Sequence, residues 1–352
     1  MAKIGATRRV TIHDVAKACG VSLTTVSHAL NDRGAVDPVT RTRVKEIAAS
    51  LGYRPNVRAQ RLRSGQSNSI AILSSMPFAV SGGVSRLGFM MEIAGIAAEQ
   101  AMMRGLALVF VPPSDDASSL LETLDIDGAI VIEPLADDSN IRLLRERRVT
   151  LVAIGRQPGE LASIPYIDLH AAQTTRLLLE HLYARGRRSI ALLQGNAARD
   201  SYLSSAQAYR TFVEAHGLDY HYAEAAEAQG EAGGREACED LLTRYPGIDG
   251  LCVPVDAFAV GAMRQAAEMG RRVPDDLMVA TRYDGLRART ANPPLTAMNL
   301  HLEDVASLAV ELLFEHMSGS GQRACLSGPM PELVPRASSA WPQSAGQDHD
   351  HA

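Results

Sequence analysis

A chain of 352 residues, 46% hydrophobic, has enough length for two or three compact units, and its composition excludes collagen-like and intrinsically unfolded chains. The net charge of −5 conceals a split: residues 1–65 hold twelve Lys and Arg against four Asp and Glu, a local +8, and the rest hold 23 against 36, or −13, so nucleic acid attracts the head and repels the body. The four cysteines show neither a C-x-x-C pair nor zinc spacing, and no apolar run nears the roughly 20 residues of a spanning helix, which excludes a disulfide scaffold and a membrane anchor and points to a cytoplasmic protein without metal or cofactor.

In chain order, Ile12, Val15, Ala16 and Cys19 fall at i, i+3, i+4 and i+7, the pattern of a first helix with one buried face. Thr11 and Asp14 make a capping-box-like start, and Gly20 stops the helix. Ser22 caps a second helix that turns Val26 and Leu30 inward, leaving Leu23, Thr24, Ser27 and His28 outward. This is the spacing of a helix-turn-helix, whose second helix enters the major groove with its N-terminal residues against base edges. Leu23, Thr24 and His28 are the candidate base readers: leucine can touch a thymine methyl, and histidine can donate to guanine O6 or N7. Thr11, His13, Ser27 and Asn31 are the candidate phosphate contacts that set register. An ordinary helical hairpin with a polar outer face is the plain alternative. Asp37 and Pro38 supply the N-cap and first residue of a third helix, with Val44, Ile47, Ala48 and Leu51 inward and Gly52 at its end.

The uninterrupted run TIHDVAKACGVSLTTVSHALNDRGAVDPVTRTRVKEIAASLGYRPNVRAQRLRSG, Thr11 to Gly65, followed by SIAIL, closely resembles the LacI/GalR (lac repressor) family of bacterial transcription regulators. The resemblance implies an all-α helix-turn-helix DNA-binding head plus an α/β periplasmic-binding-protein-like effector domain. It divides the chain into a head (1–55), a hinge helix and linker (56–67) and an effector-binding and dimerisation domain (68–336); the polar composition of ASSAWPQSAGQDHDHA makes 337–352 a disordered tail. The resemblance makes Leu62 a wedge pushed into the minor groove, although a leucine in a linker is by itself unremarkable.

Beyond the hinge, the continuous apolar runs at 69–73, 106–111, 128–133 and 150–155 alternate with helical stretches such as Leu87 to Arg104. A second series follows at 189–195, 250–255 and 277–282. Such runs suit parallel strands covered on both faces, and two series imply two doubly wound parallel-sheet subdomains with a ligand cleft between them. The resemblance adds that the last helix, Glu303 to Met317, returns to the first subdomain.

The family's cleft residues are kept only in part. Its Asp-Asn pair is Asp168-Leu169 here, its arginine four residues before Tyr209 is Ser205, its Asn-Asp pair is Val255-Asp256, and its Gly-Tyr-Asp-Asp turn reads Arg282-Tyr283-Asp284-Gly285. Losing the arginine and one amide removes the donors that grip vicinal hydroxyls. Arg86, Phe89 and Arg156 stand near strand ends or the first long helix, and Arg282 can replace the lost charge. Arg86, Phe89, Arg156, Asp168, Ser205, Asp256, Arg282 and Asp284 are therefore the candidate effector contacts, each with a surface ion pair or core packing as its ordinary alternative.

Enzyme motifs are absent: there is no GxSxG, HExxH or Walker A sequence, and the GxGxxA match at Gly319–Ala324 follows a helix instead of a strand. All three lysines, Lys3, Lys17 and Lys45, lie in the basic head, so the body has none for Schiff-base chemistry. The expected protein is a non-catalytic, homodimeric repressor of the bacterial nucleoid. It binds a palindromic double-stranded operator and answers to a sugar, nucleobase or other metabolite. The rivals are an enzyme or binding-protein module carrying a DNA-binding head and a nucleoid-type DNA protein indifferent to small molecules.

Overall fold

The structure is a computed structural model that describes residues 10–54, 66–81, 88–113, 117–159 and 164–340. The hinge expected at 56–67, with its wedge Leu62, lies almost entirely outside the described residues, and so does Arg86. The chain divides into two compact units, Met1–Ser67 and Asn68–Ala352.

The first unit holds α1 (Ile12–Cys19), α2 (Leu23–Leu30) and α3 (Pro38–Ser50). Each starts on a capping side chain that accepts from a first-turn backbone N–H: Thr11 from Asp14, Ser22 from Thr25 and Asp37 from Thr40. Thr11 and Asp14 form a reciprocal capping box, and Gly20 ends α1 at φ 65°, a left-handed conformation that costs glycine little. Val15, Ala16, Cys19, Val26, Ala29, Val44 and Ala48 close a small core. Leu30 packs half-buried against this core as expected, and Ala29 beside it is fully buried. Arg43 donates to the carbonyl of Cys19 (2.8 Å), tying α3 to the end of α1.

The second unit opens with β1 (Ser69–Ser74), α4 (Phe78–Ser81), α5 (Phe89–Met103), β2 (Ala107–Phe110), α6 (Ala117–Thr123), β3 (Gly128–Ile132), α7 (Ser139–Glu146), β4 (Thr150–Ile154) and β5 (Tyr166–Asp168). It continues with α8 (Ala171–Ala184), β6 (Ile190–Gly195), α9 (Asp200–His216), β7 (His221–Ala225), α10 (Glu231–Arg244), β8 (Gly250–Val253), α11 (Asp256–Glu268), β9 (Met278–Thr281) and α12 (Leu286–Thr290). β10 (Ala297–Asn299), α13 (Leu302–Met317), β11 (Cys325–Ser327) and β12 (Glu332–Val334) complete it.

Two parallel sheets result, ordered β11-β5-β4-β3-β1-β2 and β7-β6-β8-β9, with β10 and β12 as a separate antiparallel pair. The central strands β1, β3, β6 and β8 and the edge strand β9 are buried along their whole length, which is why they read as unbroken apolar runs. One core cluster runs through both sheets, from Ile70, Ile130 and Val152 to Leu192 and Tyr209. The outer layers form two further clusters, one per sheet. α13 supplies Val305, Ala309 and Leu313 to the shared core and packs on the first sheet, as the resemblance implies.

Two of the passages between the sheets use similar turns. Asp168 Oδ1 accepts from the N–H of His170 (2.8 Å) before α8, and Asn299 Oδ1 accepts from that of His301 (3.0 Å) before α13. Both histidines are left-handed, at φ 53° and 51°. Elsewhere α10 and α11 approach so closely that a Cβ on Gly261 would stand 2.0 Å from the carbonyl oxygen of Glu231, and one on Gly234 would stand 2.4 Å from Cα of Phe258.

The disordered tail expected from 337 is corrected at its first residues, because Ala337–Ser339 form a 3-10 turn with Ser338 and Ser339 fully buried. Ser338 Oγ donates to the carbonyl of Val279 (2.6 Å) and accepts from the N–H of Thr296 (2.8 Å). Local composition misled here, since the Ser338 hydroxyl, which looks solvated in the sequence, satisfies buried backbone groups of Val279 and Thr296. Ser339 also shares a 2.7 Å hydrogen bond with His181, whose pKa burial and the nearby Arg185 pull down to about 4. The unfolded imidazole takes its proton near pH 6.5. Between these values the unfolded chain binds the extra proton, so stability is present in full above about pH 6.5 and falls as pH drops towards 4. Urea midpoints measured across that window should show this slope, and His181→Asn should flatten it.

Candidate DNA-reading face and cleft

On the first unit, α2 presents Leu23, Thr24 and His28 to solvent, with Leu23 39% exposed despite its apolar side chain. Its opposite face, Val26 and Ala29, is buried, so the outward set follows from the helical period. The His28 ring lies against Gly34, where an added Cβ would come 2.6 Å from Nδ1, and the N–H of Arg33 donates to the carbonyl of His28 (2.9 Å). Of the candidate phosphate contacts, His13 is exposed and Ser27 half-buried. Thr11 Oγ1 is engaged by Asp14 (2.8 Å), and Asn31 Nδ2 donates to the carbonyl of Ser27 (2.7 Å), closing the end of α2. Lys17 on α1 and Lys45 on α3 are exposed, the latter paired with Asp32 (2.7 Å).

On the second unit, the C-terminal ends of β3 and β9 bring Glu133 and Arg282 together. Arg282 Nη2 donates to Glu133 Oε1 (2.6 Å), and both side chains are more than nine-tenths buried. Glu133 sits at φ 50°, a conformation uncommon for a residue with a side chain, and its carboxylate also accepts from Ser201 Oγ (2.6 Å). Burial opposes its ionisation, but Arg282, Ser201 and Arg199 outweigh that and hold its pKa below the usual carboxylate range.

Arg199, 1% exposed, lies beside this pair. Nε and Nη2 form a two-pronged pair with Glu227 (2.7 Å each), Nη2 also reaches the carbonyl of Ser75 (2.8 Å), and Nη1 reaches that of Glu133. Tyr202 donates to Glu227 (2.7 Å), and burial together with that carboxylate pushes its pKa well up. Asp256 accepts from Arg287 (2.7 Å), yet burial outweighs the arginine and raises its pKa. Tyr283 donates to Glu92 (2.6 Å) and stands edge-to-face on Phe89, with ring centres 5.3 Å apart. A cavity of about 50 Å³ remains among these groups, walled by Met76, Val80, Phe89, Val255 and Leu300 beside Glu133, Asp256 and Arg282.

Of the candidate effector contacts, Phe89, Asp256 and Arg282 thus line one cavity. Ser205 requires correction. It is fully buried where α8 and α9 pack, and its hydroxyl accepts from Thr175 (2.8 Å), so helix packing takes its space. Asp284 is likewise turned away, its carboxylate paired with Arg336 (2.6 Å) and Arg289 (3.3 Å). Asp168 serves the turn into α8, and Arg156 is exposed outside the cavity wall. Sequence reasoning missed Glu133, Arg199, Ser201 and Glu227. Only Glu133 carried a visible signal, a carboxylate ending the apolar run GAIVIE.

A capped helix-turn-helix unit and a two-sheet unit whose strand ends enclose a cleft define a DNA-binding regulator built on a periplasmic-binding-protein-like body. Two family models match, bacterial regulatory proteins of the lacI family over residues 11–56 and a periplasmic binding protein-like domain over 179–339. The chain is 28% identical over 324 residues to the HTH-type transcriptional regulator CelR of Thermobifida fusca, covering 89% of this chain and 93% of the relative. It is also 28% identical over 349 residues to the transcriptional repressor PurR of Glaesserella parasuis serovar 5, covering 93% and 98%. Among solved structures, the lac repressor dimer bound to operator and the anti-inducer ONPF superposes with a TM-score of 0.74 at 25% identity, covering 94% of this chain and 99% of that one. A CelR–cellobiose complex gives 0.68 at 25%, covering 94% and 100%. The chain belongs to the LacI/GalR family and is a DNA-binding transcriptional regulator, not an enzyme. Among the described residues no helix is long and apolar enough to cross a membrane.

Proposed function

We propose that the protein is a repressor that binds a palindromic operator as a homodimer and is governed by a small molecule held in the cleft of its second unit. The observation that carries the reading is the outward set Leu23, Thr24 and His28 on a helix whose other face is locked into a capped core. A two-fold dimer would place two such helices in major grooves about one helical turn apart. We further assign residues 1–55 to the head, 56–67 to the hinge with Leu62 as its wedge, and 68–336 to effector binding and dimerisation. Relatives described with an operator, an anti-inducer and cellobiose support effector control, and Phe89, Asp256 and Arg282 are the contacts to which we assign it here.

Selection of bound DNA from a random pool, with and without metabolite extract, tests the reading: a symmetric consensus is expected, altered in yield by the extract. Binding without any sequence preference would overturn it. His28→Ala is expected to weaken operator binding by roughly 1–3 kcal/mol while leaving random DNA nearly unaffected. An equal loss on both DNAs in a salt-matched titration would remove His28 from base reading.

A further inference from the structure

We propose that the cleft recognises a zwitterion, an α-amino acid with an apolar side chain, which enters between Glu133 and Arg282 with its ammonium group on the first and its carboxylate on the second. The inference rests on the effector reading above and narrows it to a ligand class.

Glu133 and Arg282 reach across the cleft from different sheets, at the ends of β3 and β9. The room left beside them, about 50 Å³, is far below the roughly 300 Å³ at which ligand sites begin. A ligand must therefore part the sheets, and the ion pair with them, leaving two opposite charges facing each other in a buried setting. A ligand bearing one charge satisfies one of them and strands the other, and a neutral polyol compensates neither. A zwitterion meets both and leaves the net charge of the site unchanged.

The arginine is also incompletely used. Its Nε is buried without a hydrogen-bond partner among the described residues, while Glu133 engages only Nη2. Nε and Nη2 share one edge of the guanidinium, and a ligand carboxylate can take both in the two-pronged geometry that Glu133 does not adopt. Ser201 remains to hold Glu133 for the ammonium group. The other polar neighbours are already engaged, Asp256 by Arg287, Tyr283 by Glu92 and Tyr202 by Glu227. What is left for the rest of the ligand is apolar, chiefly Met76, Val80, Phe89 and Leu300.

Titration calorimetry on the full chain decides the matter. The probes are L-leucine and L-phenylalanine, isocaproate and phenylpropionate without the ammonium group, isoamylamine and phenethylamine without the carboxylate, and glucose. At least one amino acid is expected to bind about tenfold or more tighter than both of its single-charge counterparts and glucose. Arg282→Met and Glu133→Gln, checked for folding by circular dichroism, should each abolish that advantage. Should a variant fail to fold, the wild-type series decides alone. No binding of either amino acid, or equal binding of a single-charge analogue or of glucose, overturns the proposal. Operator binding measured alongside separates the two readings: silence to amino acids with a response to metabolite extract removes only the ligand class, and silence to both removes effector control as well.

Discussion

Arg199→Ala is expected to cost the second unit about 3–5 kcal/mol of stability, the range seen when one partner of a buried ion pair is removed. The arginine is 1% exposed and Glu227 5%, so neither charge can fall back on water. Truncation would leave Glu227 held, among the described residues, only by Tyr202 and would strip a donor from the carbonyls of Ser75 and Glu133. Those carbonyls belong to the first sheet's side of the cleft, while Glu227 belongs to the second, so the loss falls where the two halves meet. Urea unfolding followed by circular dichroism measures it. Arg199→Ala combined with Glu227→Gln should recover part of the loss, because the stranded charge is then gone. A single-variant cost under about 1 kcal/mol, typical of an exposed pair, would contradict this account.

Gly261→Ala is expected to destabilise the same unit by about 1–3 kcal/mol or more, although alanine is the better helix former. Propensity alone favours the change by roughly 1 kcal/mol. Contact decides against it, because the new Cβ would stand 2.0 Å from a backbone oxygen, that of Glu231, which has no rotamer to retreat to. α10 and α11 must then separate, opening a core that includes Phe258 and Cys238. Gly234→Ala probes the same crossing against Cα of Phe258, and the double variant should cost less than the two single changes together, since one separation relieves both. An unchanged unfolding free energy for Gly261→Ala would show that the helices do not pack this closely.

The caps at Thr11, Ser22 and Asp37 were legible because capping is written within three or four residues of sequence. The central strands were legible because burial on both faces leaves no polar residue to interrupt them. β7, read as HYAEA, escaped notice as a sheet edge with polar residues, and β5, β10, β11 and β12 are three residues each, too short for any period. The cleft was half legible. Asp256 and Arg282 follow apolar strands, where such sheets hold ligands. Glu133 and Arg282 are 149 residues apart, and Arg199 and Glu227 28 apart, separations at which no local pattern pairs a charge with its partner. Ser205 and Asp284 were misplaced for the complementary reason: position along the chain indicated the cleft, while packing against α8 and pairing with Arg336 had already claimed the side chains.

The placing of the lysines has a practical consequence. Lys17 and Lys45 stand exposed on α1 and α3, and the second unit carries no primary amine of its own. Coupling the protein to a sensor chip through amines would anchor it by its DNA-binding unit, and a silent sensorgram would then say nothing about affinity. Immobilising the oligonucleotide instead leaves that unit free.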